Sequence, residues 1–178
     1  MEQRKQKLKE ILKKTGALKF GEFKLSSGKK SDYYIDIKKA STFPEFIKLI
    51  GKEISEKLED ADRLAGVALG GIPLVVSASI YSKKPYIMIR KQKKEYGTKE
   101  RIEGEFNPND DVVMIEDVTT TGNSLLNAIK IIREQNVEIK KSIVVVDRGE
   151  GAKELLKKHG VELIPIFESK DLVKDGGN

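Results

Sequence analysis

The sequence predicts an α/β protein, a central parallel sheet flanked by helices, with a small N-terminal hood. Three observations carry that expectation. From about residue 64 onward, short apolar runs alternate with stretches of helical periodicity. Those runs are continuously apolar, as in strands covered on both faces. No repeat, low-complexity tract or linker divides the 178 residues, and that length suits one domain. The expected organisation is one domain over 1–178, with a helix and hood in 1–40 and the α/β core in 41–178.

Each element has its own signal. Leu8, Ile11 and Leu12 fall at helical spacing in a lysine-rich stretch that closes near Gly16, which predicts a short amphipathic helix. Residues 17–40 alternate around Phe20, Phe23 and Leu25, turn at Ser26-Ser27-Gly28 and resume as Tyr33-Tyr34-Ile35-Asp36-Ile37, the pattern of a hairpin. Pro44 opens a helix with Phe46, Ile47, Ile50, Ile54 and Leu58 on one face. A strand over 64–69, a Gly70-Gly71 turn and a helix over 72–80 follow, then a strand over 86–89 and a long polar stretch. The remainder reads as strand 112–115, helix 123–133, strand 142–146, helix 152–158 and strand 161–166.

Composition removes several chemistries. The chain has no cysteine, no tryptophan and one histidine, His159. Disulfides, thiolate zinc sites, cysteine nucleophiles and histidine ligand clusters are therefore excluded. His159 lies in Lys157-Lys158-His159-Gly160, which reads as a last helical turn and its glycine cap, where a cation suits the helix dipole. Carboxylates, hydroxyls, backbone amides, lysines and arginines remain. Lys and Arg number 34 against 28 Asp and Glu, a net charge of +6. That excess suits an anionic partner, such as nucleic acid, a membrane surface or a phosphorylated small molecule, and equally a salt-laced surface. No apolar run approaches a membrane span, and the N-terminus lacks the apolar centre of a signal peptide. The expectation is a soluble, cytoplasmic protein that engages no membrane.

Residues 112–124, VVMIEDVTTTGNS, are the most informative segment. A buried strand runs into Glu116 and Asp117, then Val118, Thr119, Thr120, Thr121 and Gly122, then a helix opening at Asn123 and Ser124. Ligands of open α/β sheets bind at the carboxyl ends of strands. Hydroxyls and amides at a helix N-terminus suit a phosphate, and glycine lets the backbone approach it. Two carboxylates beside a phosphate make sense when the ligand also carries hydroxyls or a magnesium ion, as a ribose 5-phosphate would. A solvated strand end followed by a threonine-capped helix fits the same residues.

This string resembles the phosphoribosyl-pyrophosphate signature of the type I phosphoribosyltransferases: both acids, the loop length and the glycine agree. The resemblance implies that Glu116 and Asp117 hold ribose hydroxyls while the loop from Thr119 to Ser124 grips the 5-phosphate, with Val118 also among the donor-binding residues. It also implies that Mg2+ is bridged through the substrate, with no direct protein ligand. The Walker loop and the dinucleotide GxGxxG pattern are absent.

The polar stretch over 90–106, RKQKKEYGTKERIEGEF, is a charge run of the kind usually found in a solvated loop. Next to a phosphoribosyl site it resembles the mobile catalytic lid of orotate phosphoribosyltransferases, where Arg90, Lys91 and Lys94 match the cations that hold the departing diphosphate. Such cations favour the transition state over the ground state, and a closing lid excludes water. Tyr96 stands where many bacterial relatives have histidine, and the resemblance puts it among the donor-binding residues. A tyrosine there does not relay protons at neutral pH, given its ordinary pKa near 10.

The hood is similar to the segment that covers orotate in the same family. Gly28-Lys29-Lys30-Ser31 matches its glycine-basic-lysine-serine run, with the aromatic pair at Tyr33-Tyr34 or Tyr34-Ile35 according to register. The implied orotate contacts are Lys30, Tyr33, Tyr34, Thr120 and Arg148, the arginine being the natural bidentate partner of a carboxylate. Two positions depart from bacterial members: Gly70 and Ser26 stand where those often have lysine. Gly70 and Gly71 still offer backbone amides to the diphosphate. The resemblance further implies orotate and phosphoribosyl pyrophosphate as substrates and a homodimer whose lid serves the partner's site. A purine or uracil transferase, or a nucleic-acid-binding regulator without catalysis, are the rivals. The retained lid and the lack of a spare helix-turn-helix segment argue against the regulator, leaving no nucleic-acid partner expected.

Overall fold

The computed structural model describes residues 2–24, 30–90 and 101–173. Two elements open the chain, α1 (Glu2–Lys14) and a hairpin of β1 (Leu18–Lys24) and β2 (Lys30–Ile35). Then come α2 (Ile37–Ala40), α3 (Pro44–Ser55), β3 (Arg63–Val67), α4 (Gly71–Ser82), β4 (Tyr86–Ile89) and β5 (Ile102–Glu103). The rest is β6 (Asp111–Thr119), α5 (Asn123–Arg133), β7 (Glu138–Asp147), α6 (Ala152–Lys158), β8 (Glu162–Glu168) and α7 (Ser169–Val173).

The hairpin stands apart as a two-stranded antiparallel sheet, with Phe20 opposite Tyr33 and Phe23 opposite Ser31 across an irregular register. The main sheet has the order β5-β4-β3-β6-β7-β8. Chain order reverses between β3 and β6, because β4 adds on one side of β3 and β6 on the other. Such a switch point opens a crevice at the strands' carboxyl ends.

Both faces of the sheet are covered, which explains the continuous apolar runs. Within β6, Val113 and Ile115 pack into the core shared with α1, α3 and α4, whereas Val112 and Met114 pack into the core shared with α5 and α6. Helices α3 and α4 approach closely because Gly51 has no side chain: a Cβ there would overlap Ser77, whose Oγ donates to the Ile47 carbonyl at 2.7 Å.

Several elements differ from the sequence reading, among them β7, which begins at Glu138 rather than at 142. The second hairpin strand stops at Ile35, because Asp36 turns the chain and caps α2 by accepting from the Lys39 amide at 3.0 Å. β6 continues past Ile115 to Thr119, because backbone pairing with β7 extends to Thr119 opposite Asp147, whatever the polarity of the side chains. Residues 102–103, expected within the lid, form β5, which runs antiparallel to β4 and makes the sheet mainly rather than wholly parallel. Ile102 anchors it by packing on the core under β4 and β6. Finally, α7 follows β8 where no helix was expected.

A buried acid fastens α1 to α3. Glu53 is fully buried, and Arg4 reaches it from α1 at 2.9 Å while also gripping Glu56 with two bonds of 2.8 Å. Lys57 lies 3.5 Å from the other Glu53 oxygen. Removing one partner of a buried charge leaves the other uncompensated, so Arg4→Ala should lower stability by about 2–4 kcal/mol in urea unfolding. Arg4→Lys should recover part of that loss. A change within about 0.5 kcal/mol, the usual size at an unengaged surface position, would show that Lys57 alone satisfies the acid.

Candidate active site

The site forms where β6 runs out. Glu116 and Asp117 are held inside the strand by their neighbours, Glu116 opposite Val144 of β7, so both carboxylates are buried at its carboxyl end. The Asp117 amide donates to Glu116 Oε1 at 3.2 Å. The chain then leaves the sheet through Thr119, Thr120 and Thr121 to Gly122, whose φ of 83° is a left-handed conformation that glycine adopts without strain. Helix α5 begins at the next residue. Glu116, Asp117, Val118, Thr119, Thr120, Thr121, Gly122, Asn123 and Ser124 together line a cleft of about 290 Å³. Thr120, Thr121, Asn123 and Ser124 are exposed toward solvent, and Asn123 donates to Thr121 Oγ1 at 3.1 Å. Exposed hydroxyls at the N-terminus of an eleven-residue helix make an anion cradle.

Across the switch point, the turn before α4 closes on the same acids. Gly70 lies so near Asp117 that an added Cβ would overlap its carboxyl group, and a Cβ on Gly71 would press on the Ile115 carbonyl oxygen at 2.6 Å. The missing side chains are what allow this turn to sit beside the acid strand.

Lys38, on α2, was not singled out from sequence, yet its Nζ lies 3.3 Å from Asp117 Oδ2. No signal in the chain distinguishes it among 34 lysines and arginines; only the fold brings it here. Burial opposes ionisation of Asp117, but the hydrogen bond shared with Glu116, the charge of Lys38 and the Val118 amide together hold its carboxyl below the usual carboxylate range. Burial likewise works against the Lys38 ammonium, and the charge of Asp117 overcomes it, raising the lysine above its ordinary value.

The hood reaches the sheet through Arg148, just past the end of β7. Its amide donates to the Thr119 carbonyl at 2.9 Å. Its guanidinium donates to Ser31 Oγ at 3.1 Å and lies 4.6 Å above the centre of the Tyr33 ring. Arg148 Nε is buried without a hydrogen-bond partner, with a Glu150 oxygen 3.6 Å away. Tyr34 turns the other way, is 42% exposed and packs on Phe23 with ring centres 5.6 Å apart. Lys30 is exposed at the start of β2. Of the aromatic pair, then, Tyr33 meets Arg148 and Tyr34 faces outward.

Of the residues expected in the lid, Arg90 pairs with Glu103 Oε1 of β5 at 2.9 Å. Lys91, Lys94 and Tyr96 lie outside the described residues, as do Ser26 and the hood turn. Among the described residues no three His, Asp or Glu side chains gather as a metal site. Two carboxylates still fit magnesium, which is ordinarily held by one or two such groups together with substrate phosphates. No helix of the described residues is long and apolar enough to cross a membrane.

Comparison with known proteins gives a consistent picture. The family model for the phosphoribosyl transferase domain matches residues 40–170. The orotate phosphoribosyltransferase of Methanocaldococcus jannaschii is 54% identical over 170 residues, covering 95% of this chain and 97% of the relative. The crystal structure of orotate phosphoribosyltransferase from Aeropyrum pernix superposes with a TM-score of 0.86 at 33% identity, covering 96% of this chain and 99% of that one. The Mycobacterium tuberculosis H37Rv enzyme in complex with 5-phospho-α-D-ribosyl 1-diphosphate gives a TM-score of 0.77 at 26% identity, covering 95% and 98%.

The Asp117–Lys38 pair sets a pH dependence. Because the Asp117 pKa is lowered in the fold, its ionised form stabilises the protein above the usual carboxylate range, and that contribution is lost as pH falls through the lowered value. Lys38→Met removes one attraction, so the Asp117 midpoint should rise and acid unfolding should begin at higher pH. With more than half of the Lys38 side chain exposed, the loss at neutral pH should stay under about 1 kcal/mol. Carboxyl-carbon NMR titration of both proteins measures it; an unmoved midpoint would refute the electrostatic account.

Proposed function

We propose that this chain, which belongs to the orotate phosphoribosyltransferase family, transfers the 5-phosphoribosyl group of phosphoribosyl pyrophosphate to orotate. The products are orotidine 5′-monophosphate, a step of pyrimidine synthesis, and pyrophosphate. The bond from ribose C1 to the diphosphate oxygen breaks, a bond from C1 to the ring nitrogen of orotate forms, and that nitrogen's proton goes to solvent. The observation that carries the choice of base is Arg148, a mostly buried guanidinium stacked on Tyr33 beside the phosphate cradle. A planar pyrimidine that bears a carboxylate matches an aromatic ring and an arginine at once.

The residues divide the work by charge. The hydroxyl loop from Thr119 to Ser124 receives the 5-phosphate at the start of α5. Glu116 and Asp117 accept hydrogen bonds from the ribose hydroxyls, and their negative charge favours the cationic C1 that develops as the diphosphate leaves. An Asp117 carboxyl held below its usual range is ionised for this task at neutral pH. The Gly70–Gly71 turn offers amides to the diphosphate. Arg90, Lys91 and Lys94 of the lid neutralise the leaving group, with Tyr96 as a further hydrogen-bonding contact. Glu116 and Asp117 would hold a magnesium ion by way of the substrate's hydroxyls, and the ion would supply positive charge against that of the diphosphate.

The reaction uses a phosphorylated donor and yields a phosphorylated product, which do not cross membranes unaided, and the proposed compartment is the cytoplasm. The proposed assembly is a homodimer in which one protomer's lid completes the partner's site. Leu69 and Ile80, more than 70% exposed around α4, are apolar surface that a second copy would cover.

Turnover of orotate with phosphoribosyl pyrophosphate and magnesium tests the reading. Arg148→Ala should raise the KM for orotate about tenfold or more while leaving that for the donor near its original value. Efficient use of adenine or guanine with none of orotate would overturn it. Mixing inactive Lys94→Ala and Asp117→Asn subunits tests lid sharing. Random re-pairing should restore roughly a quarter of wild-type activity, since half the dimers are mixed and each keeps one intact site. Mixtures as inactive as their parents would place the lid in its own subunit's site.

A further inference from the structure

Lys38 has no role in the reading above, yet it sits against the residue at its centre. Helix α2 is firmly seated: Ile37 and Ala40 are fully buried, Asp36 caps it, and the Asp36 amide donates to the Ala17 carbonyl at 2.7 Å. The seating leaves Lys38 free to project. Its side chain is 55% exposed, while that of Asp117 is 11% exposed, so the 3.3 Å pair runs from solvent into the cleft. Half-exposed pairs contribute little to stability; stability is a poor reason for a lysine at this place. Gly70 also closes on Asp117, an added Cβ falling nearest to Oδ2, the oxygen that Lys38 touches, so no side chain fits there while the carboxylate stays put. A cation beside this acid must therefore come from another element than the turn before α4, and α2 supplies one.

We propose that Lys38 is a substrate-binding residue for the diphosphate of the phosphoribosyl donor, resting on Asp117 until the donor arrives. This depends on the reading that Glu116 and Asp117 hold the ribose hydroxyls. The hydroxyl at C2 is adjacent to C1, which carries the diphosphate, so a cation already touching Asp117 is one ring carbon away from the leaving group. When the ribose hydroxyls take over as hydrogen-bond donors to Asp117, the ammonium is released to the phosphate oxygens without losing a partner. Before that, its charge offsets the two acids, which would otherwise repel a polyanion from the cleft.

Steady-state kinetics and pyrophosphate binding together test the proposal. Lys38→Ala should raise the KM for phosphoribosyl pyrophosphate about tenfold to a hundredfold, leave the KM for orotate within about twofold, and be largely rescued by Lys38→Arg. Calorimetry with magnesium and inorganic pyrophosphate should show the same weakening, and binding of ribose 5-phosphate should change little. Equal losses for pyrophosphate and ribose 5-phosphate would mean that Lys38 merely positions Asp117, and an unchanged donor KM and pyrophosphate affinity would mean that it does neither. Both results overturn the proposal. Wild-type protein that makes no orotidine 5′-monophosphate would count against the proposed reaction instead, and the pyrophosphate titration would still decide the part played by Lys38.

Discussion

A sheet buried on both faces has nowhere to do chemistry except at the ends of its strands, and everything at this site follows from that constraint. The alternating side chains of β6 are committed to two cores, so polar groups are confined to its ends, and those that form the site lie at the carboxyl end. There Glu116 and Asp117 are held by backbone pairing with β7 rather than by their own preferences. The reversal of chain order between β3 and β6 then brings two turns together, one rich in hydroxyls and one made of glycine. Each turn is short because the strand before it and the helix after it are fixed by packing.

Charge within the crevice is balanced locally. Two acids that would repel a polyanion are accompanied by Lys38 and by amides of the flanking turns. A positive net charge of +6 gives no hint of that arrangement; it follows from which cations the fold brings to the crevice. The single histidine, His159, closes α6 and donates its backbone amide to Leu156, and its carbonyl accepts from Arg133 at 2.9 Å. Its place is structural, and a transfer driven by a good leaving group asks for placed charges more than for a proton relay.

Much of this was legible in the chain. The helix faces marked by Leu8, Ile11, Leu12 and by Phe46, Ile50, Ile54 are buried as their spacing implies, and the segment from Glu116 to Ser124 lines one cleft. What escaped has physical reasons. α2 is four residues long, too short to show a period. The extension of β6 to Thr119 depends on a neighbour 28 residues away in β7, which composition does not encode. The two-residue β5 reads as part of a charge run because its anchor, Ile102, is a single apolar residue. Of the aromatic pair, spacing alone could not say which ring meets the arginine; the hairpin register turns Tyr33 inward and Tyr34 out.

The contact between Gly70 and Asp117 also limits which changes the chain can accept. A lysine at position 70 and the present Asp117 conformation exclude each other, since the first carbon of any side chain would overlap the carboxyl group. Restoring the lysine that bacterial relatives often carry there is thus not an independent gain of one cation. It requires the acid to shift first, and the oxygen nearest to the new carbon is the one that Lys38 touches. Positions 38 and 70 meet at one carboxylate, so the effect of a substitution at either depends on which residue occupies the other.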